Sequence, residues 1–280
     1  GLVLAPGFID AHAHDDAALI ETPDMAMKTS QGVTTTIIGN CGASAAPYDT
    51  DMAPVSVLRL LFKHPGVQAR RYRDFLANVD AAKPAINALG FVGHATLRLS
   101  VMGEDFSRAA RPDERVRMRD LLAGALDDGA AGLSTGLFYP TAKAAPTQEV
   151  IDIGTPLRAA GGLYATHMRD EGDGLMTSID EALAIGRALG VRTIVSHLKC
   201  VGGKNFGRSL EALQKLDAAM ETQPLGFDVY PYIAGSTILL EENVEDCARV
   251  IVTWSDPFPE ATGRDLDNLA AEWGIDRVAA

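Results

Sequence analysis

Two histidines separated by one residue, His12 and His14, end an apolar run near the start of the chain, in GFIDAHAHDD. Alternate residues of a β-strand point to the same side, so both imidazoles would face one way. Paired imidazoles are typical ligands of a metal ion. In the other interpretation, one histidine caps the strand end and the other is solvated. The His-x-His motif by itself leaves both interpretations open.

Side chains able to do chemistry also follow the later apolar runs. They are Cys41 in GNCG, His94 in VGHATLR, Tyr139 in LFYP, His167 in ATHMRDEG, His197 and Lys199 in SHLK, and Asp228, Tyr230, Tyr232 and Ser236 in FDVYPYIAGS. Five of the six histidines lie at such ends, whereas random placement would scatter them over helices and loops as well. The sixth, His64, lies in a polar segment, and we expect it to be solvated. Imidazoles and a thiolate brought to one place suit zinc.

Each candidate ligand also has a structural interpretation. A lone cysteine such as Cys41 is often a small buried hydrophobe, but its flanking glycines indicate a tight turn that would place the sulfur at a strand tip. His167 or His197 alone could be a hydrogen-bonded core histidine. Together with the first two histidines and the cysteine, however, the set favours a metal site. For His94 both a structural and a functional role remain open.

Charged residues lie directly beside the candidate ligands. Arg169 and Lys199 could be surface charges, but each comes two residues after a candidate histidine, which favours a role in the site. We expect the neighbouring pair Asp170 and Glu171 to be solvated and to form salt bridges within its loop.

Composition and charge exclude several functional classes. The chain has 280 residues, 47% of them hydrophobic, which is enough for one large domain with its own core. Its net charge of -12 argues against nucleic acid or an anionic membrane as partner, and an anionic substrate would need local cations inside the site. The cysteine count is odd and low, which predicts a reducing, cytoplasmic location, with Cys200 and Cys247 as structural residues. We see no signal peptide and no apolar run near the roughly 20 residues of a membrane span.

Strand-like runs alternate with helical segments, which indicates βαβ units and a parallel sheet. The predicted strands are LVLAPGFIDAHAH, GVTTTIIGNC, INALGFVGHATL, AAGLSTGLFY, GLYATHM, VRTIVSHL and LGFDVYPYI. The helical segments include PDERVRMRDLLAGALDDG, SLEALQKLDAAMET and TSIDEALAIGRALG, the last with Ser178 as N-cap and Gly190 as its stop.

Two parallel α/β folds compete, the doubly wound sheet and the closed (β/α)8 TIM barrel. No Gly-x-Gly-x-x-Gly follows the first strand, so a dinucleotide site has no support. Polar residues at the C-terminal ends of many strands are typical of the barrel. We therefore predict a barrel with seven strands by about residue 233, and RVIVTWSD, residues 249–256, as a candidate eighth strand.

At this point the motifs resemble the amidohydrolase superfamily, and within it the N-acyl-D-amino-acid deacylases (D-aminoacylases). The matching segments are PGFIDAHAHDD, SQGVTTTIIGNCGASAAP, TGLFYP, YATHMRDEG, VSHLKC and FDVYPYIAGST. They cover nearly the whole chain in family order. GNCG is the most specific, because most of the superfamily bridges two metals with a carboxylated lysine, whereas this branch uses a cysteine after strand two.

The resemblance implies a barrel of the metal-dependent hydrolase type and zinc-dependent hydrolysis of N-acyl-D-amino acids to a carboxylate and a D-amino acid. It assigns Cys41, His167 and His197 to a tightly held zinc, His12 and His14 to a second, weaker metal position, and Tyr139, Lys199 and Ser236 to the substrate carboxylate. One lysine and two hydroxyls would let an acidic protein bind an anion.

One family feature has no match in this chain. The family's general acid/base is an aspartate at the end of strand eight. Asp256 ends an apolar run, but by the resemblance it lies in an insertion after strand seven, about residues 241–280. We therefore expect residues 1–280 to be an incomplete catalytic barrel from a longer polypeptide, inactive alone, with the acid/base and a small β-domain elsewhere.

Two alternatives stay open beside the deacylase. The first is another amidohydrolase reaction, on a cyclic amide or a D-residue dipeptide. For the cyclic amide, ring opening without release of an amino acid would identify it. The second is a metal-free, non-catalytic barrel that acts as an interaction protein. Such a relative would have lost ligands, whereas all five candidate ligands are intact here.

Overall fold

Short parallel strands alternate with helices in the computed structural model, which describes residues 3–62 and 66–280; His64 lies outside the described residues. The strands are β1 Phe8–Asp10, β2 Val33–Ile38, β3 Asn87–Gly90, β4 Val92–Gly93, β5 Gly132–Gly136, β6 Leu163–His167, β7 Thr193–Val195, β8 Leu225–Phe227, β9 Ile251–Val252 and β10 Arg264–Asp265. The helices are α1 Ala18–Glu21, α2 Ala26–Thr29, α3 Val57–Leu61, α4 Tyr72–Ala82, α5 His94–Met102, α6 Pro112–Asp127, α7 Pro140–Lys143, α8 Thr147–Gly154, α9 Leu157–Ala160, α10 Leu175–Leu189, α11 Ser209–Met220, α12 Glu241–Asp246 and α13 Leu266–Trp273.

The parallel strands pair in chain order, as β1-β2-β3 and as β4-β5-β6-β7-β8. Strands β3 and β4 are two halves of one run, separated by Phe91, whose N–H donates to the Ile38 carbonyl at 3.0 Å. The third predicted strand is therefore β3 together with β4, and seven strands reach Phe227 as expected. This confirms the α/β class and the barrel type.

Residues 249–256 do not supply an eighth parallel strand. Only Ile251 and Val252 are extended, and they pair antiparallel with β10 in a separate two-stranded sheet. Val252 is buried, whereas Ile251 and Trp254 are more than 40% exposed. A barrel strand is covered on both faces, and this run is covered on one. The assignment of residues 241–280 to an insertion stays a prediction.

Burial on both faces explains why the central strands form. Every residue of β5 is buried, and so are the last four of β6, as expected for parallel strands covered by helices. Met118 and Leu122 of α6 share a buried cluster with Leu133 of β5, and Ile179 of α10 lies in a second cluster with Val195 of β7.

Two of the predicted helix ends are confirmed and one is wrong. Helix α6 begins at Pro112, as its sequence predicts, and α10 ends at Leu189, directly before Gly190, which has a φ of +65°. Ser178 is not the N-cap of α10, because the helix begins earlier, at Leu175. Its hydroxyl instead accepts a hydrogen bond from the Asp170 N–H at 3.0 Å, which ties the loop after β6 to the helix. No helix among the described residues is long and apolar enough to cross a membrane.

Candidate metal centre

Cys41, at the end of β2, lies at the centre of a cluster of histidines contributed by the ends of three other strands, β1, β6 and β7. Its Sγ is 3.3 Å from Nε2 of His12 and 3.3 Å from Nε2 of His197. Two sets of possible ligand atoms each lie within 4.8 Å of one another: His12, His14 and Cys41, and Cys41, His167 and His197. The five ligands predicted from the sequence thus converge, and the cysteine is shared by both sets.

Burial favours the neutral form of two histidines of the cluster, His14 and His167. Desolvation, followed by the neighbouring histidines, lowers the pKa of His14 to about 3. Desolvation lowers the pKa of His167 to about 3 as well, against the opposing effect of Glu171. Both ring nitrogens of His167 and Nδ1 of His14 are buried without a hydrogen-bond partner. Unpartnered buried nitrogens are rare in folded proteins, and their lone pairs suit a metal ion.

The turn that carries Cys41 has an unusual backbone. Cys41 has a φ of +54°, and Gly42 beside it has a φ of +77°. A Cβ on Gly42 would lie 2.7 Å from the Gly136 backbone nitrogen, so the turn needs glycine there. Burial, together with the charges of Glu171 and Asp228, raises the pKa of the Cys41 thiol far above its usual value. The thiolate is therefore favoured only with a cation beside it, as at a metal site.

Two carboxylates lie behind the histidines. Asp228 places Oδ2 3.2 Å from Nδ1 of His12, and its Oδ1 accepts the His197 N–H at 2.7 Å. Glu171 places Oε1 2.9 Å from Nδ1 of His197. A carboxylate that accepts Nδ1–H leaves the Nε2 lone pair of that histidine turned towards Cys41. Both carboxylates are thus placed to orient candidate ligands.

The pKa values of these carboxylates are depressed despite burial. Desolvation opposes ionisation of Glu171, but His167, His197 and Lys199 outweigh it and lower the pKa to about 2. For Asp228, desolvation is likewise outweighed, here by the hydrogen bond and charge of His12. Both groups are therefore anionic at neutral pH.

The expected solvation of Glu171 is wrong. Its side chain is buried, because the loop after β6 turns it inwards, where it also lies 3.6 Å from Nε2 of His167. Its neighbour Asp170 is only partly buried and accepts the N–H groups of Gly172 and Gly174 at the start of α10. In the sequence, the one signal for this role is that Glu171 lies four residues after His167. That spacing does not distinguish Glu171 from an ordinary loop glutamate.

The three residues expected at a substrate carboxylate have different positions. Lys199 Nζ donates to Glu171 Oε2 at 2.6 Å, and it lies 5.9 Å from the centroid of the Tyr230 ring. The buried ring of Tyr139 lies 4.9 Å from that of His167. Ser236 is exposed, in the segment after β8. The structure thus places Lys199 and Tyr139 beside the cluster and leaves Ser236 at the surface.

His94 lies outside both sets of possible ligands. It begins α5 and is fully buried, and its Nε2 is 3.2 Å from Oε1 of Glu149. The same carboxylate pairs with the buried guanidinium of Arg98 and accepts the Ala110 N–H at 2.8 Å. Burial lowers the pKa of His94. The structure thus gives His94 a place in a buried network that joins α5 to α8.

The contacts of Arg169 and Asp256 are with residues outside both sets of possible ligands. Arg169 pairs with Glu181 of α10 and donates to the carbonyls of Lys143 and Ala145, so it holds the segment that follows Tyr139. Asp256 lies in an exposed pair with Arg59, at 3.7 Å.

The sequence of this chain matches one family model and is similar to several known proteins. Residues 1–243 match a family model described as "Amidohydrolase family". A D-aminoacylase of Alcaligenes xylosoxydans xylosoxydans is 49% identical over 98% of this chain, and an N-acyl-D-aspartate deacylase of the same organism is 47% identical over all of it. The chain spans 56% of the length of each relative.

Solved structures of two such deacylases superpose closely on this chain. A crystal structure of D-aminoacylase superposes with a TM-score of 0.94 at 47% identity, over 98% of this chain and 57% of that one. An N-acyl-D-glutamate deacylase from Bordetella bronchiseptica, complexed with zinc and a phosphonate mimic of the tetrahedral intermediate, superposes with a TM-score of 0.93 at 41% identity, over 98% and 57%. A further D-aminoacylase structure is described by its binuclear metal centre, with activation by one metal and attenuation by a second.

Proposed function

We propose, on the premise that this chain belongs to the amidohydrolase family, that the intact protein is a zinc-dependent hydrolase of N-acyl-D-amino acids. The products would be a carboxylate and a D-amino acid. The observation that carries the proposal is Cys41, whose sulfur lies between the two sets of histidines. The names of the relatives, which are D-aminoacylase and two N-acyl-D-amino-acid deacylases, support the substrate class.

We assign one tight zinc to Cys41, His167 and His197, and a second, weaker metal position to His12 and His14. A zinc ion, when bound, supplies Lewis-acid polarisation of the scissile carbonyl and activation of water. The Cys41 thiolate would offset part of the metal's charge.

Lys199 and Tyr139 would bind the α-carboxylate of the substrate. The Lys199 ammonium has three N–H groups, and it donates to Glu171 and to the His197 carbonyl at 3.0 Å. Its Nζ also lies 2.7 Å from Nδ1 of His197, so the lysine cation lies directly beside a candidate ligand. Ser236 would complete this carboxylate site once the segment after β8 is covered. Three fixed contacts would select one configuration at the α-carbon.

Proton transfer needs a further group. The carboxylates that the described residues place beside the cluster, Asp228 and Glu171, are engaged with histidines. We propose that an aspartate outside this chain acts as general acid/base, a role typically worth about 10²–10⁴-fold in rate. Residues 1–280 alone would then be nearly inactive, and full activity of this piece would contradict that assignment.

The first test is the metal content of the intact protein, purified without chelator, beside Cys41→Ala. Cys200→Ala is the matched control, because that cysteine is partly exposed and lies in neither set of ligands. We expect about one tightly held zinc per chain in the wild type and the control, and loss of that zinc in Cys41→Ala. A wild type without zinc would refute the proposal.

The second test is substrate choice. The zinc-loaded protein should hydrolyse N-acetyl-D-amino acids and leave the L-enantiomers intact. A panel with apolar and acidic D-side chains would define its preference, since the relatives include deacylases named for D-aspartate and D-glutamate. Ring opening of a hydantoin without amide hydrolysis would favour the cyclic-amide alternative instead.

A further inference from the structure

Asp16 is a buried carboxylate that follows the His-x-His pair but turns away from it. It is only 2% exposed. Its Oδ1 accepts the Ala45 N–H at 3.0 Å, and its Oδ2 accepts the Gly39 N–H at 3.2 Å. One carboxylate therefore holds both ends of the seven-residue turn 39–45, which contains Cys41.

That turn needs restraint to keep its shape. Cys41 adopts a φ of +54°, in the left-handed region that residues with a side chain enter only when their surroundings enforce it. Gly39 has a φ of +71°, and a Cβ there would lie 2.2 Å from the Phe91 carbonyl oxygen. The turn is thus a strained segment pressed against the third strand, and the direction of the Cys41 side chain depends on its backbone.

The turn is also tied to the segment that carries the first two histidines. The Asn40 side chain donates to the Ala13 carbonyl at 3.3 Å, between His12 and His14. Asp16 makes the second tie, two residues after His14. The ligand atoms of Cys41 and of these histidines therefore have their separation set by one small, buried, hydrogen-bonded unit.

We propose that Asp16 is a positioning residue that holds Cys41 in its ligating direction and in register with His12 and His14. This inference rests on the proposed zinc site. A carboxylate is suited to the task because it offers two acceptor oxygens and no donor, one for each inward-facing N–H. Asparagine has the same shape, but its amide group would direct a donor at one of those N–H groups.

The test uses the intact protein as wild type, Asp16→Asn and the matched control Asp15→Asn. Asp15 is the adjacent carboxylate, and its oxygen accepts from the Thr36 hydroxyl at 2.9 Å and lies 3.0 Å from Lys28 Nζ, rather than holding the turn. We expect zinc to bind about 10–100-fold more weakly to Asp16→Asn, the usual effect of losing a group that orients a ligand, and equally well to Asp15→Asn. Affinity is measured by competition with a chelator.

A second measurement reports the turn itself in metal-free protein. Alkylation of Cys41 by iodoacetamide, followed by peptide mass spectrometry, should be faster in Asp16→Asn than in the wild type, because a released turn exposes the sulfur. A merely structural role would lower the unfolding midpoint without a selective change at this cysteine. Equal alkylation rates in folded wild type and Asp16→Asn would overturn the proposal.

The outcomes separate this inference from the proposed function. A wild type that binds no zinc refutes the function, whatever the variants do. A wild type that binds zinc, with an unchanged affinity in Asp16→Asn or an equal loss in Asp15→Asn, refutes the role of Asp16 alone.

If Asp16→Asn does not fold, amide hydrogen exchange in the metal-free wild type tests whether Asp16 holds the two amides of the turn. The Gly39 and Ala45 amides should be as protected as that of Phe91, which donates to the Ile38 carbonyl. Exchange at the rate of solvent-exposed amides would show that Asp16 does not hold them.

Discussion

Replacement of Glu171 by glutamine should weaken both the fold and zinc binding. The carboxylate lies 2.6 Å from Lys199 Nζ and 2.9 Å from Nδ1 of His197. Glutamine keeps the shape and one acceptor but removes the charge, and its amide would face either the lysine cation or the histidine N–H. Lys199 would then lie half-buried without its anionic partner.

The magnitude follows from the pKa. A fall from 4.5 in the unfolded chain to about 2 in the folded protein corresponds to about 3 kcal/mol of stabilisation by the charged form. Because the folded pKa is depressed, this stability is present above pH 4.5 and is lost as the pH falls towards 2. At pH 7, Glu171→Gln should therefore lower the free energy of unfolding by at most about 3 kcal/mol, because His167, which contributes to the low pKa, is itself neutral at that pH, and the difference from the wild type should shrink below pH 4.5.

Urea unfolding of metal-free protein at several pH values measures the stability, and chelator competition measures the zinc affinity. We expect zinc binding to fall about 10–100-fold, because His197 loses the anion that orients it. Asp170→Asn is the matched control, since that carboxylate accepts the Gly172 and Gly174 N–H groups of its own loop and lies in neither set of possible ligands. Asp170→Asn should lower the stability of the loop, because it weakens these two hydrogen bonds, and leave the zinc affinity unchanged. Unaltered zinc affinity in Glu171→Gln would refute the orienting role.

Three further changes test other parts of the site and its support. Asp228→Asn should weaken the second metal position, because the carboxylate faces Nδ1 of His12. Isothermal titration with zinc should show a lower affinity for the second equivalent only. An unchanged affinity would show that the orientation of His12 by Asp228 is unimportant. Arg98→Met should lower the free energy of unfolding by about 3–5 kcal/mol, since Glu149 would lose its buried guanidinium partner. Urea unfolding measures the loss of stability, and a loss below about 1 kcal/mol would contradict the prediction. Lys199→Met should raise KM for an N-acetyl-D-amino acid more than it lowers kcat, and the reverse pattern in steady-state kinetics would argue against carboxylate binding.

The sequence alone was sufficient for the strand order and the candidate ligands. A ligand at a strand end is a local feature, because the apolar run defines the strand and the His-x-His and GNCG motifs mark where it stops. Parallel strands in one sheet bring their C-terminal ends together, so His12, Cys41, His167 and His197 could be placed at one mouth without knowing any distance. Their convergence on a shared sulfur follows from that topology.

The carboxylates that contact those ligands are determined by the packing of loops, which hydrophobic periodicity in the sequence does not predict. The loop after β6 turns Glu171 inwards and leaves its neighbour Asp170 partly exposed, although the two carboxylates are adjacent in sequence. The apolar run at residues 249–256 resembles a barrel strand, yet it pairs antiparallel in a small sheet, because strand choice depends on which edge is available. Sequence thus determined which atoms could bind a metal. Tertiary structure decided which carboxylates orient them, because burial and hydrogen bonding between distant segments exist only in the folded chain.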